Sequence, residues 1–222
     1  MEMIRLENVC FAYEGNIALN RVSMTADAGE TIALMGPNGC GKSTLLNLLN
    51  GLIFPEEGHY FVCGEEITEK ALRDGRFSKR FHQRLGYVFQ NAEAQLFCAS
   101  VWDEVAFGPS QMGLSDEEVK RRTEDTLELV GIRALSERVP YHLSGGEKRK
   151  AAIACILSMN PEALILDEPM AGLDRKSREW LISFLLQLKK TGKTMILSTH
   201  DEEFAARVAD RVVEMNEDHG IA

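Results

Sequence analysis

Apolar residues along the chain follow two different periods, and the change from one to the other divides it into three stretches. Up to about residue 90 the runs MIRLENVCFAY, IALNRVSMTA, TIALMG, HYFVCG and RLGYVFQ carry β-branched and aromatic residues between glycine or acidic turns, which predicts strands. From about residue 91 to 161 the spacing becomes helical. Ser115 opens SDEEVKRRTEDTLELVGI, with Glu118 three residues on as in a capping box. Val119, Thr123, Leu127 and Val130 fall near one face, and Gly131 closes the run. A second capping box, Ser144 with Glu147, precedes the apolar AAIACILSM, and here Gly145 and Gly146 occupy the first turn of the predicted helix. Beyond residue 161 the types alternate: strand ALILD, helix RKSREWLISFLLQLKK ending before Gly192, strand TMILSTH, helix DEEFAARVA, strand RVVEM. Such alternation builds a parallel sheet, so the pattern predicts an α/β protein with a helical insert.

Composition narrows the class without changing the architecture. A chain of 222 residues, 45% hydrophobic and 27% charged, suits one large domain or two small lobes with a real core. Its net charge of −9, from 34 acidic against 25 basic residues spread along the chain, disfavours a nucleic-acid-binding surface. The five cysteines are widely spaced and contain no C-x-x-C pair, so neither a disulfide framework nor a zinc site is suggested. The longest apolar stretches, AAIACIL and LISFLL, are far short of a membrane span, which predicts a cytosolic chain unless a partner tethers it.

The chemistry concentrates in a few segments. GPNGCGKST, Gly36 to Thr44, follows the apolar TIALM and precedes the helical LLNLLNGL, which is the strand-loop-helix setting of the phosphate-binding P-loop G-x-x-x-x-G-K-[ST]. Its glycines let successive backbone N–H groups turn toward phosphate oxygens, and the following helix adds its partial positive charge. Lys42 is placed to reach the β and γ phosphates, Ser43 to offer its hydroxyl to Mg²⁺, and Thr44 to donate to a further phosphate oxygen. ALILDEP, Ala163 to Pro169, is a buried strand ending in two carboxylates. Either both acids cap the turn that Pro169 starts, or they serve a metal. With the P-loop upstream the metal reading prevails: Asp167 holds Mg²⁺ and Glu168 polarises an attacking water as general base. Glycine is costly inside a helix, yet at the first turn it leaves the unpaired N–H groups open to a ligand. Ser144, Gly145 and Gly146 therefore read as a second anion-facing site, for a nucleotide carried by another copy of the protein.

Taken in order, GPNGCGKST, Gln90 after a strand, LSGGE, LILDEP, AGLD and STHD resemble the nucleotide-binding subunit of an ABC ATPase over essentially the whole chain. That resemblance implies a single ABC-type P-loop NTPase domain spanning 1–222. Residues 1–90 and 162–222 would form the ATPase core with an antiparallel β subdomain, and 91–161 an inserted helical subdomain. It also implies a head-to-tail dimer with two ATP molecules sandwiched between P-loops and LSGGE signatures. Further roles carry over residue by residue. Gly36, Pro37, Asn38, Gly39, Cys40 and Gly41 belong to the phosphate loop with Lys42, Ser43 and Thr44. Tyr13 matches the aromatic residue that stacks on adenine, with strand packing as the rival reading. Gln90 matches the contact to Mg²⁺ and the attacking water. Asp174 matches the loop that communicates across the dimer, although it is also a good helix cap, and His200 matches the histidine that bonds the γ phosphate. His59, His82, His142 and His219 receive no role.

FQNAEAQLFCASVWDEVAFGPSQMGLS, Phe89 to Ser115, further resembles the energy-coupling-factor group, importers of cobalt or nickel ions or of vitamins. The resemblance implies a second ATPase subunit, identical or different, an integral membrane transport protein, and a substrate-binding membrane component. It places the chain peripherally at the cytoplasmic face of the membrane. Alternatively Leu96, Phe97, Val101, Val105 and Phe107 form a subdomain core, and both readings hold if a docking groove has a packed floor. Met170 and Glu147 depart from the residues frequent at their positions without removing a ligand. The sequence stops soon after RVVEM where members of the group usually continue, often into a dimer-stabilising segment, which leaves nucleotide-free dimerisation and a truncated C-terminus as open alternatives. The competing function is a soluble ABC ATPase, such as one in iron–sulfur assembly.

Overall fold

The strands of the computed structural model, which describes residues 1–221, sort into two sheets. The first is antiparallel and contains β1 (Glu2–Tyr13), β2 (Asn16–Asp27), β4 (Glu57–Val62) and β5 (Glu65–Glu66), in the order β2-β1-β4-β5. A two-residue turn, Glu14-Gly15, joins β1 to β2. Both residues take positive φ, 50° and 83°, the geometry whose twist matches that of the flanking strands. Ile4 and Leu6 of β1 face inward, and a register shift at Asn8, itself at φ 48°, brings Val9 to the same core.

The second sheet is parallel and contains β3 (Thr31–Met35), β6 (Leu85–Val88), β7 (Ala163–Leu166), β8 (Thr194–Ser198) and β9 (Arg211–Glu214), in the order β6-β7-β8-β3-β9. Its inner strands are apolar on both faces because both are covered, as parallel sheets require. Ile196 of β8 joins a core shared with the antiparallel sheet and α1 (Lys42–Leu49), while the adjacent Leu197 joins a second core. That second core is closed by α7 (Arg175–Lys190), α8 (Glu202–Val208) and three helices between β6 and β7: α4 (Val101–Gln111), α5 (Asp116–Leu129) and α6 (Gly145–Leu157). No helix among the described residues is long and apolar enough to cross a membrane.

The fold corrects the sequence reading in two places. Besides the expected α1, the strand-rich first stretch contains two further helices, α2 (Glu69–Leu72) and α3 (Gly75–Arg84). Asp74 caps α3 by accepting from the backbone N–H of Arg76 and Phe77 at 3.0 and 2.8 Å, and Phe81, one turn after Phe77, is buried. The second correction concerns the apolar set of the helical insert. Val101 and Val105 are core residues, and Leu96 packs partly buried against that core. Phe97 and Phe107, by contrast, stand 69% and 45% exposed and pack edge-to-face on each other, with ring centroids 5.2 Å apart.

Candidate active site

Strand β3 ends at Met35 and α1 begins at Lys42, so residues 36–41 must reverse the chain in very little space. Gly36 and Gly41 take φ of 143° and 106°. A Cβ at Gly36 would stand 2.3 Å from the Met215 carbonyl oxygen, and one at Gly41 equally close, 2.3 Å, to that of Ala18. Both obstacles are backbone, so no side chain fits. Gly41 also provides no side-chain cap, which leaves the first-turn N–H groups of α1 unpaired for an incoming anion.

The loop walls a pocket of about 570 Å³ in which Asn38, Gly39, Gly41, Lys42, Ser43 and Thr44 meet residues from other elements. Tyr13 enters from the β1–β2 hairpin, 46% exposed and edge-on to Phe11. Gln90, Glu168 and His200 enter from just beyond β6, β7 and β8, the carboxyl ends of the parallel strands where α/β sheets bind ligands. Pro37 and Cys40 do not line this pocket. The Pro37 carbonyl instead accepts from Lys42 Nζ at 2.9 Å, beside Gly36 O at 2.7 Å, and the Cys40 side chain is buried. The Lys42 ammonium, itself nearly buried, is thus held by loop carbonyls rather than by a carboxylate.

Asp167 lies behind Ser43, and its Oδ1 accepts from Ser43 Oγ at 3.4 Å and from Ser198 Oγ at 2.6 Å. Ser198 Oγ in turn accepts from the Glu168 backbone N–H at 2.8 Å. One fully buried serine on β8 therefore holds the Asp167 carboxylate and the Glu168 backbone just beyond β7, a role the sequence reading did not assign. Its signal was a hydroxyl at the end of an otherwise apolar strand. Glu168 sits at φ 40°, a left-handed conformation that side chains adopt at a cost, and such strain gathers at functional sites. Its carboxylate lies 3.1 Å from His200 Nδ1. Ser43 and Asp167 offer hard oxygen donors, the set that suits Mg²⁺ completed by phosphate and water. No cluster of three or more His, Cys, Asp or Glu side chains able to hold a metal occurs among the described residues.

The glycine pair lies elsewhere. Ser144 N-caps α6, with the Glu147 side chain accepting from the Ser144 N–H at 2.8 Å and Ser144 Oγ accepting from the Glu147 N–H at 3.4 Å. That backbone N–H holds the Glu147 carboxyl below its ordinary range. Ser144, Gly145 and Gly146 are not lining residues of the P-loop pocket. Gly146 has a local reason to be glycine, since a Cβ there would stand 2.2 Å from Ser177 Oγ, whereas Gly145 meets nothing closer than the Gly172 carbonyl at 4.0 Å. Asp174 caps α7 by accepting from the Ser177 N–H at 2.7 Å. A further residue missed in the sequence ties α6 to the first pocket. Arg149 is buried and donates from its two terminal nitrogens to the Phe89 and Gln90 carbonyls, both at 2.6 Å. Burial pushes its guanidinium below the usual range, and its Nε has no partner.

On another face Phe97 and Phe107 border a groove of about 300 Å³. Glu104 is the acidic residue of that groove. It accepts from the Cys98 N–H, and burial pushes its carboxyl above the usual range.

Comparison with known proteins agrees with this geometry. The sequence profile of the ABC transporter family matches residues 19–171. The chain is 44% identical over 219 residues to the nickel import ATP-binding protein LarO of Lactiplantibacillus plantarum, covering 99% of this chain and 91% of the relative. It is 41% identical over 225 residues to the energy-coupling factor transporter ATP-binding protein EcfA of Methanothermobacter thermautotrophicus, covering 99% and 70%. Among solved structures it superposes on CbiO1 of Clostridium perfringens, part of the ABC transporter complex CbiONQ, with a TM-score of 0.89 at 34% identity, covering 100% of this chain and 87% of the other. The cassette MJ0796, captured as a dimer with ADP and Pi after hydrolysis, gives 0.86 at 29% identity, covering 99% and 96%. A P-loop, strand-end carboxylates and a capped glycine helix in one α/β chain with these relatives lead to one conclusion: the protein belongs to the ABC transporter family, as an ATP-binding subunit that hydrolyses ATP.

Proposed function

We propose that this chain powers an energy-coupling-factor-type importer, driving uptake of cobalt, nickel or a vitamin through a membrane partner. The observation that carries the reading is the exposed Phe97–Phe107 pair at the mouth of the groove. Two aromatic rings held together in solvent at an apolar cleft are the anatomy of a protein-docking surface. The names of relatives LarO and EcfA and the CbiONQ membership of CbiO1 support it. In this reading the chain sits peripherally at the cytoplasmic face. It pairs with a second ATPase subunit and docks on an integral membrane protein that works with a substrate-binding component.

Within the site, the P-loop and Lys42 bind the phosphates and Tyr13 stacks on adenine. Ser43 and Asp167, with Gln90, would hold Mg²⁺, which neutralises charge developing on the transferred phosphoryl group. Glu168 accepts the proton of the attacking water; Ser198 holds its backbone N–H, and His200 holds its carboxylate and meets the γ-phosphate end. Ser144, Gly145 and Gly146, with Asp174 nearby, serve the nucleotide of the partner subunit. Affinity purification from membranes tests the proposal. Co-purification of an integral membrane protein, lost when Phe97 and Phe107 are both changed to Ser while ATPase activity persists, is expected. A protein recovered only from the soluble fraction with iron–sulfur assembly components would overturn it.

A further inference from the structure

We propose that His219 is a nucleoside-binding residue whose imidazole contacts the ribose–adenine part of ATP; the inference rests on the P-loop pocket being the nucleotide site. After β9 the chain makes a tight return. Met215 bridges Ile221 in antiparallel fashion, the Asn216 N–H donates to the Gly220 carbonyl at 3.0 Å, and the His219 N–H donates to the Asn216 carbonyl at 3.1 Å. The Asn216 side chain closes the turn by accepting from the Gly220 N–H at 3.0 Å. The turn is pinned to β2, because the Asn20 N–H donates to the His219 carbonyl at 2.9 Å and the Asn20 side chain to the Asp218 carbonyl at 3.3 Å. Every bond that holds the turn therefore comes from backbone, Asn20 or Asn216. The imidazole holds none of it.

Two features of that imidazole ask for another purpose. His219 takes φ 62°, a left-handed conformation that glycine adopts freely and a residue with a Cβ only at a cost. Its Nδ1 is also buried with no hydrogen-bond partner among the described residues, and an orphaned buried polar atom calls for an explanation. His219 lines the P-loop pocket together with Asn16, Ile17, Ala18 and Tyr13. Position decides which part of the nucleotide it meets. The phosphates belong to the glycine loop and the α1 N-terminus, with Glu168 and His200 at the γ end. His219 is anchored to Asn20, two residues past Ala18 on the strand that pairs with Tyr13's strand, so it stands at the nucleoside end. An imidazole there can exchange hydrogen bonds with ribose hydroxyls or the purine edge, and it can pack on the ring face.

Replacing His219 by Gly removes the ring and relaxes the backbone at the same time, so the turn is preserved. Titration calorimetry with ATP and with inorganic tripolyphosphate then separates the two ends of the ligand. The ATP Kd should rise about fivefold in His219→Gly, the loss of one ordinary hydrogen bond, while the tripolyphosphate Kd stays at the wild-type value. His219→Asn, which tolerates the same φ and keeps a polar side chain, should fall between the two. Unchanged ATP affinity in His219→Gly would overturn the assignment. So would an equal loss for ATP and tripolyphosphate, since the turn would then only be propping the P-loop. A wild-type protein that binds tripolyphosphate but gains nothing from the nucleoside overturns the nucleotide reading itself, and this assignment with it.

Discussion

The N-termini of α1 and α6 both carry glycine, and they depend on their surroundings in opposite ways. The α1 end is finished within the chain: Gly41 gives no side-chain cap, Lys42 is tethered on the loop carbonyls, and Ser43 and Asp167 already touch through Oγ and Oδ1. The α6 end is capped by its own Ser144–Glu147 box, and Gly145 stands in open space. In the function proposed above, the first end is a site and the second is half of one. What joins them is Arg149, which reaches from α6 to the carbonyl of Gln90 on the rim of the first pocket. If the α6 end meets a second subunit, as proposed, Arg149 gives it a handle on the first pocket.

The comparison breaks most severely at the α1 pocket. Glu168→Gln keeps shape and hydrogen-bonding but cannot take a proton, so kcat should fall by about 10²–10⁴ while ATP affinity is retained. Phosphate release and nucleotide titration on the same protein check this, and near-normal turnover would remove Glu168 from the base role. At the α6 end the informative position is Gly145. Gly146 packs against Ser177, so a side chain there confuses a local clash with a lost ligand contact. Gly145→Asp adds negative charge in open space. In the Glu168→Gln background it should weaken ATP-driven dimerisation roughly a hundredfold, as a like-charge juxtaposition does, with ATP affinity of the monomer unchanged. Size-exclusion chromatography reads the dimer; an undiminished dimer would make the glycine pair a packing feature alone.

Arg149→Met cuts the link between the two ends. The Phe89 and Gln90 carbonyls lose their partner, which costs about 2 kcal/mol in urea unfolding, offset in part by no longer burying a charge. Arg149→Lys should not rescue it, because one ammonium does not reproduce a two-nitrogen fork. If Gln90 is positioned through this link, kcat falls with little change in ATP affinity. A loss of stability with kcat intact would mean that Arg149 holds the fold and nothing more.

How much of this was legible depends on how local each signal is. The P-loop, the Asp167–Glu168 pair and the Ser144 capping box each lie in one short segment, so glycine spacing, a charged strand end and S-x-x-E were enough. Helix α3 was lost because it starts with a glycine, carries mostly basic residues and runs directly into β6 at Leu85 with no breaker between. Asp74, with Phe77 and Phe81 one turn apart, was its only cue. For Phe97 and Phe107 the sequence left docking surface and subdomain core both open, and only packing leaves them exposed. Arg149, Ser198 and His219 act across gaps of about sixty, thirty and two hundred residues, distances at which nothing in a single sequence marks a partner.

The smallest expected effect tests how firmly the α6 end is preset. The Glu147 carboxyl is held below its ordinary value of 4.5, first by the Ser144 backbone N–H and then by the Ser144 hydroxyl, so the folded state favours the ionised form. A carboxylate depressed by folding contributes stability that is fully present above its unfolded value and is lost as pH falls through the lower, folded value. Glu147→Gln keeps a weaker acceptor at the same reach and no longer titrates. At neutral pH the wild type should exceed it by about 0.5 kcal/mol, the ordinary worth of one capping interaction. The difference should shrink toward zero as the solution is acidified well below 4.5. Urea unfolding of both proteins side by side cancels the other carboxylates. ATP affinity should match at neutral pH, because the α1 end takes no part in this cap. A stability gap that persists in acid would mean that Glu147 acts through packing rather than charge. An altered ATP affinity would mean that the two helix ends are coupled even within one subunit, and the division between site and half-site would fail.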